Sequence, residues 1–335
     1  MAVVRNPHSR QIDVVGAGIN ATDTIIRLPH FPAPDSKVQV TSTNVLPGGQ
    51  VATAMVACAQ WGLRTRYIGK IGSDDAGKLQ KQAVQAAGVE AHWITVDSAR
   101  SQSAFILVDE TTGERTVLWV REPAIALRAD DIKRDWFREA RLLLVDGHDT
   151  AAATQAARWA REEGMMVVGD FDNRYPGVEE LLEFIDFPVT SHDFPERLTA
   201  EKDLLKAVPK IYSRYKFELI CATLGRMGAL AWDGHRFFLC PGFRIDAADT
   251  TGAGDVFHGA FLYGLLKEWK PEGILEFSCA AAALNCQALG ARGHIASLEE
   301  IQSLRRSGAR SELAYEPQQL LEAARHATAG AEIRP

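Results

Sequence analysis

The chain has little of what staples, anchors or strongly charges a protein. Its 335 residues include five cysteines (Cys58, Cys221, Cys240, Cys279 and Cys286), and no two of them form a CxxC pair. An odd, scattered set excludes a disulfide framework or a zinc ribbon as the organising device. It reads as reduced thiols, so a cytoplasmic location is expected. No apolar run approaches the roughly 20 residues that a membrane span needs, and no apolar core of a secretory signal is visible at the start. Charge of one sign is not in great excess: 37 Lys and Arg against 43 Asp and Glu leave a net −6. That gives no global attraction to nucleic acid or to an anionic membrane, and neither is expected as a partner. No GxxxxGK[ST] string occurs, which excludes a P-loop phosphate site. Internal repeats, low-complexity segments and long linkers are missing as well.

What is present is a core-forming composition, 46% hydrophobic and 24% charged, in which strand and helix patterns alternate. Ile12 to Val15, Leu142 to Val145, Met165 to Val168, Phe187 to Thr190 and Leu219 to Thr223 are short apolar runs, as expected for strands buried on both faces. Between and after them, Val51 to Trp61, Thr150 to Glu163, Gly254 to Trp269 and Gly273 to Leu289 read as helices. Another helix follows Ser73 or Asp74 as cap and ends near Gly88. This rhythm predicts an α/β fold with a mostly parallel central sheet and helices on both faces.

Two stretches break the rhythm. Thr22 to Val45 is β-branched, and Pro29, Pro32 and Pro34 oppose a helix there. Ser103 to Val120 reads as two strands around Thr111-Thr112-Gly113, a hairpin signal. Both are expected to form a small β lid standing off the main sheet, over about 21–47 and 100–122. Gly16-Ala17-Gly18-Ile19-Asn20-Ala21 fits a dinucleotide fingerprint, with Asp35 near the matching spacing. Such a fingerprint must open a helix, and the segment after it resists one, so an oxidoreductase is disfavoured. From Glu312 the tail is helix-forming through Ala324.

The segment richest in chemistry is Asp249-Thr250-Thr251-Gly252-Ala253-Gly254-Asp255, which runs into an apolar helical pattern. Small residues let the backbone turn tightly against a ligand. The first amides of a helix lack intrahelical partners, and with the helix dipole they make an anion site. A carboxylate at that helix start, Asp255, is expected to be kept ionised by the dipole and able to accept a proton. An amide cradle beside a carboxylate suits phosphoryl transfer, which depends on positioning and charge stabilisation.

That string resembles the second signature of the ribokinase-like, or PfkB, carbohydrate kinases, and the resemblance spans roughly Ile12 to Ile301. It implies a three-layer α/β/α sandwich over 11–310 with the β lid, followed by a tail over 311–335. Ser101-Gln102-Ser103-Ala104, Gly113-Glu114-Arg115 and Asp255-Val256-Phe257-His258-Gly259 look similar to the ketohexokinase and sulfofructose kinase branch. The resemblance implies transfer of the ATP γ-phosphoryl group to a sugar hydroxyl. Asp255 would be the base, and the amides of Gly252, Ala253 and Gly254 would hold the phosphoryl oxygens. Asp23, Gly48, Gly49, Gln50, Thr53 and Arg115 would meet the sugar. Thr223, Gly225, Gly228 and Asn285 would line the nucleotide site. Asp249, Thr251, Ala288 and Gly290 match the positions that bind a monovalent cation, K+, and Mg2+ would arrive with ATP.

Two departures qualify the resemblance. Ser191-His192-Asp193-Phe194 stands where many members carry an NxxE motif of the magnesium shell. Gln50 and Thr53 replace the asparagines of ketohexokinases, so fructose specificity is not carried over. An anionic sugar needs a cation in the cleft, and the candidates are Arg27, Lys37, Arg115 and Arg121. His148 and Trp119 stand where sulfosugar kinases use a basic and a polar residue. The expected substrate is therefore a neutral ketose or pentose. The alternatives are an acidic or phosphorylated sugar, a nucleoside, or a catalytically dead sugar-binding regulator, and retention of Asp255 with its amide turn opposes the last. The apolar lid edges suggest a homodimer.

Overall fold

A strand covered on both faces must be apolar at every position, and the continuous apolar runs all become such strands. The computed structural model describes residues 11–331. The expected absence of a leader, which concerns residues 1–10, and the end of the tail, 332–335, lie outside the described residues. The chain begins with β1 (Ile12–Ala17), β2 (Ala21–Leu28), β3 (Ser42–Gly48) and α1 (Gln50–Gln60). It continues through β4 (Thr65–Gly72), α2 (Asp75–Ala86), β5 (Glu90–Val96), β6 (Ser103–Asp109) and β7 (Arg115–Val120). Next come β8 (Ala140–Asp146), α3 (Thr150–Glu162), β9 (Met166–Phe171), α4 (Val178–Leu182), β10 (Phe187–Thr190), α5 (Phe194–Thr199) and α6 (Leu204–Tyr215). The last strands are β11 (Ile220–Thr223), β12 (Ala229–Trp232) and β13 (Phe237–Cys240). Four helices close the chain: α7 (Ala253–Leu266), α8 (Pro271–Asn285), α9 (Leu298–Ser307) and α10 (Pro317–Ala331).

Nine strands make the main sheet in the order β13-β12-β11-β10-β9-β8-β1-β4-β5. All neighbours are parallel except those of β12, which runs antiparallel to β11 and β13. The period-two alternation of a strand sorts its residues between two cores. Val14, Leu142, Leu144 and Val168 pack with α1, α7 and α8 on one face. Val15, Leu143, Val145 and Val167 pack with α3, α4 and α6 on the other. The expected three-layer sandwich is thus the observed one. The strand order turns back at β1, which has β4 on one side and β8 on the other. In open α/β sheets the crevice at the C-terminal ends of such strands is where ligands bind.

β3, β2, β6 and β7 form a separate four-stranded sheet. β2 pairs antiparallel with β3 and parallel with β6, and β6 and β7 form the expected hairpin. The fingerprint-like Gly16–Ala21 leads into strand β2 rather than a helix, which removes the dinucleotide reading. Two helix ends differ from expectation. The helix α8 stops at Asn285, four residues early, because the chain there turns to bring its side chain onto two loop carbonyls. The tail helix starts at Pro317 and runs past Ala324 to Ala331, proline being favoured in a first helical turn. Ala324 and Ala327 pack on the core beside α6. Among the described residues no helix is long and apolar enough to cross a membrane. All five cysteines are buried and free.

Candidate active site

The turn before α7 is held from both sides. Gly252 caps the helix with φ 74°, and a Cβ there would sit 2.2 Å from the Ala291 carbonyl oxygen. Only glycine combines that conformation with that approach. The helix behind it is buried almost all round, with Gly259 pressed on Ala54 and Ala57 of α1, so its head cannot drift. Among the described residues the amides of Gly252 and Gly254 have no backbone partner, while the Ala253 amide reaches the Thr250 carbonyl at 3.4 Å. Gly254 is exposed and faces open space. Asp255 lies in the first turn. The sequence suggests a carboxylate held ionised by the helix dipole. Burial instead pushes its pKa up to about 6, against the pull of Arg115 and Arg292, with Asp172 and Asp146 adding to the rise. It remains mostly ionised at pH 7, and a base poised near the working pH is the efficient kind.

The small sheet faces this turn. Register puts Asp23 opposite Ala104, and Ala104 opposite Trp119, in one row. Alternation then gives Arg115 and Val117 the same face as Trp119. At the far end Arg115 Nη1 donates to Thr250 Oγ1 at 2.7 Å. Gly48 lies under the Asp23 carboxylate so closely that a Cβ would meet its Oδ2 at 1.9 Å. Gly49 has φ 93° and packs on the backbone of Asn20. Asp23 is buried, and burial followed by the charge of Asp255 pushes its pKa up to about 7. Arg292 and Arg115 oppose that rise. Gln50 opens α1 and reaches Asp170 Oδ1 at 3.4 Å. Thr53 is fully buried and accepts a hydrogen bond from Arg292 Nε at 3.2 Å.

Other expected positions separate. Thr223 ends β11, its hydroxyl on the Thr190 carbonyl, and Gly225 to Gly228 make a tight turn in which the Leu224 amide donates to the Gly228 carbonyl. Asn285, expected at the nucleotide, is fully buried. Its Nδ2 donates to the carbonyls of Thr251 and Ala291, and its Oδ1 faces the His294 amide, so it braces the α7 turn and has no exposed edge to offer. The K+ positions do converge, and several of their oxygens accept hydrogen bonds. Asp249 Oδ1 accepts from the Thr251 amide and hydroxyl, Oδ2 from the Gly290 amide at 2.8 Å, and the Thr251 carbonyl from Asn285. Ala288 is half-buried on the same loop. These bonds brace the turn before α7, and K+ enters no step below. Among the described residues no cluster of three or more His, Cys, Asp or Glu suits a metal.

The candidate cations are mostly engaged elsewhere. Arg27 pairs with Glu110 at 3.6 Å, Arg121 pairs closely with Asp149, and Lys37 is exposed in the loop between β2 and β3. Asp149 thus serves Arg121 and the Leu127 amide instead of capping α3 with its side chain. His148 lies against Tyr175 (3.2 Å) and Asp172 (3.7 Å), with the Trp119 ring edge-on at 6.2 Å. Burial lowers its pKa, but the hydrogen bond to Asp172 and the charges of Asp146 and Asp172 outweigh that and raise it. His258 is packed, with Nδ1 donating to the Gly254 carbonyl at 2.7 Å. In Ser191-His192-Asp193, the Ser191 hydroxyl donates to the Asp172 carbonyl, and His192 pairs with Asp193 at the surface.

Sequence reasoning missed Arg292, Asp146, Asp170 and Tyr67. Asp146 Oδ2 accepts the Ile19 amide at 2.6 Å and fixes the turn after β1. Asp170 is buried beside His258 Nε2 (3.4 Å), and burial and the charge of Asp255 raise its pKa strongly. The Tyr67 hydroxyl donates to the Gly18 carbonyl at 2.7 Å. A polar residue ending a buried strand, as in Leu142 to Asp146, was the one available signal. The site therefore offers a poised carboxylate beside open amides, a second carboxylate across the crevice, and two guanidinium groups between them. That set can remove a proton from a bound hydroxyl while holding an anion in line.

Comparison with known proteins bears on this arrangement. The sequence profile of the pfkB family carbohydrate kinases matches residues 9–297. A ribokinase of Haemophilus influenzae is 28% identical over 308 residues, covering 87% of this chain and 97% of that protein. Fructokinase-2 of Solanum habrochaites is 28% identical over 289 residues, covering 78% and 88%. An Arabidopsis thaliana ribokinase, solved with ribose and ATP, shares the fold with a TM-score of 0.72 at 22% identity, covering 88% of this chain and 99% of that one.

Proposed function

Because the chain belongs to the pfkB family of carbohydrate kinases, we propose that it transfers the ATP γ-phosphoryl group to a hydroxyl of a small neutral sugar, a ketose or pentose. The observation that carries this reading is Asp255 in the first turn of α7, beside open amides and facing the small sheet that bears Asp23. Bound ATP with Mg2+ supplies the electrophilic phosphoryl group and neutralises part of its charge. The donors fit that group, since the amides of Gly252 and Gly254 are unpaired at a helix N-terminus and Gly254 borders open space. The turn from Gly225 to Gly228 lies at the C-terminal end of β11, within the crevice side of the sheet, and would hold the base. Asp255 accepts the proton from the sugar hydroxyl. Asp23, once ionised, accepts hydrogen bonds from neighbouring hydroxyls.

Substrate charge follows from what the cations do. Arg27 and Arg121 are paired with carboxylates, Lys37 is exposed in the β2–β3 loop, and the charges of Arg115 and Arg292 act on Asp23 and Asp255. Carboxylates crowd the crevice, and the His148 imidazole faces Asp172. Trp119, in the row of Asp23, offers an apolar surface to a sugar face. The relatives carry names of both kinds, ribokinase and fructokinase beside a ribose-1-phosphate kinase and a 5-dehydro-2-deoxygluconokinase, so the choice of a neutral sugar rests on the crevice alone. A coupled ATP assay on fructose, ribose, tagatose, 2-keto-3-deoxygluconate, fructose 6-phosphate and sulfofructose tests the reading. A neutral sugar is expected to give the highest kcat/KM, and an acidic or phosphorylated one far ahead of all neutral ones would contradict it.

The small sheet acts as a lid in this reading. Its support is the β6–β7 turn, where Gly113 and Arg115 already touch Ala247 and Thr250 beside the anion turn. ATP hydrolysis without sugar should be slow, and ATPase activity indifferent to sugar would count against closure. The opposite face carries Val45, Phe105, Leu118 and Val120, all exposed, and β7 is an open edge. A second copy of the chain is the proposed occupant. Sedimentation at micromolar concentration should show a dimer, and monomer alone would oppose it.

A further inference from the structure

Arg292 is the least explained charge in the crevice. It follows Ala291, whose Cα and carbonyl abut Gly252 at the head of α7. Its side chain crosses from there to the base of the small sheet. Nη2 donates to the Gly48 carbonyl at 3.1 Å and Nε to Thr53 Oγ1 at 3.2 Å. Nη1 is sealed from solvent and has no hydrogen-bond partner. A buried guanidinium nitrogen left unpaired costs about 1–3 kcal/mol, so its retention asks for a reason beyond packing. Among the described residues Arg292 forms no ion pair within 4 Å, yet Asp23 and Asp255 both lie close enough for their charges to act on it. One residue thus touches Gly48, which joins the small sheet to α1 and is called its hinge below, as well as the start of α1 and the loop that backs the α7 turn.

We propose that Arg292 is a positioning residue that ties the hinge of the small sheet to the head of α7 and shares its charge between Asp23 and Asp255. This rests on the reading of Asp255 as the base. Asp23 sits directly over Gly48, and Arg292 holds the carbonyl of that same residue. Any movement of the hinge therefore moves the guanidinium relative to both carboxylates. The charge also decides how readily two neighbouring carboxylates ionise together. The groups facing Asp255 are Arg115 from β7, Arg292, Asp172 after β9, Asp146 from β8, Asp170 from β9 and Asp23 from β2. Those facing Arg292 are Tyr67 from β4, Asp255 and Asp23. Asp23 in turn faces Asp249 and Arg115. Only two cations stand in this set, Arg292 and Arg115, and Arg115 is exposed at the tip of the small sheet, where it also donates to Thr250. Removing Arg292 leaves the carboxylates with one cation at the mouth of the crevice.

The test is the pH dependence of turnover in Arg292→Gln, measured with the best sugar of the panel. The acid limb of kcat, set by Asp255, is expected to move up by about one unit. The variant then loses roughly five-fold more activity at pH 6 than at pH 8 relative to the parent protein. A merely structural residue would scale activity equally at all pH values. An acid limb that stays in place in a folded R292Q protein overturns the proposal. If R292Q fails to fold, Arg292→Lys carries the test: the charge is kept but the fork is lost. Its acid limb should stay while the KM for sugar rises several-fold, and an unchanged KM overturns the tie. Failure of the underlying reading looks different. There the Asp255→Asn variant keeps its kcat, whereas an inactive D255N with an unmoved R292Q limb refutes only the role of Arg292.

Discussion

Substituting Gly48 by alanine tests the hinge most sharply, because the damage can be located in advance. Gly48 has a negative φ, so alanine is admissible for the backbone. The added Cβ would lie 1.9 Å from Asp23 Oδ2, 2.8 Å from Cγ and 3.2 Å from Oδ1. No arrangement keeps both groups in place, and the side chain yields more readily than a paired strand. Asp23 must swing off the crevice. If it bonds a sugar hydroxyl, the loss is that of a hydrogen bond to a charged group, about 1.5–3 kcal/mol. That corresponds to about 10- to 100-fold in kcat/KM for sugar. The KM for ATP should not change, since the anion turn and the Gly225 turn are untouched. Steady-state kinetics with each substrate varied in turn make the measurement, with Gly273→Ala as the control. Gly273 has only the Trp269 Cβ within 4 Å, at 3.7 Å, so that variant should behave as the parent. A G48A protein with unaltered sugar kinetics, or one whose loss falls on ATP, would refute the reasoning.

Asp23→Asn should stabilise the protein while it disables sugar binding. The pKa of Asp23 is raised from 3.8 to about 7, so its contribution to stability is fully present below about pH 4 and is lost as pH rises through 7. Roughly three units at about 1.4 kcal/mol each give an upper bound of about 4 kcal/mol at pH 8. Urea melts should show D23N gaining on the parent at pH 8 and the gap closing toward pH 5; a gap that widens on acidification contradicts the shift. Gly254→Ala has open space for its methyl group and a negative φ. It should hold or raise Tm, since alanine favours a helix by about 1 kcal/mol, yet kcat should fall at least about tenfold as the methyl enters the anion site. Unchanged kcat in a folded G254A would move the phosphoryl group elsewhere.

The parts of the fold that were legible are those written in local pattern. Leu142 to Val145 is apolar at every position because both faces are buried. Thr111-Thr112-Gly113 marks the β6–β7 turn, where Gly113 has φ 69°. The strand β4 is less visible, since Arg66 and Lys70 interrupt its apolar pattern and are satisfied only in space, by Glu90 and Asp131 at 2.7 Å each. The four-residue strands β12 and β13 are too short for a periodicity to register. The head of α7 was legible because small residues before an apolar helix have few other uses. Arg292 was not, as its partner Thr53 is 239 residues away in sequence. The bracing bonds of Asn285 to Thr251 and Ala291 were hidden for the same reason, since they exist only once α8 stops short. The raised pKa of Asp255 was not legible, because a helix dipole can be read from a sequence and burial beside other carboxylates cannot.

The account stands or falls on Asp255, and single-turnover and steady-state kinetics of Asp255→Asn test it most directly. Asparagine keeps the size of the side chain and its place in the first turn of α7, but it cannot take up a proton. With the best sugar of the panel, kcat is predicted to fall by about 10²–10⁴-fold or more, while ATP binding and Tm stay close to those of the parent protein. A D255N protein that turns over at near the parental rate would contradict the mechanism.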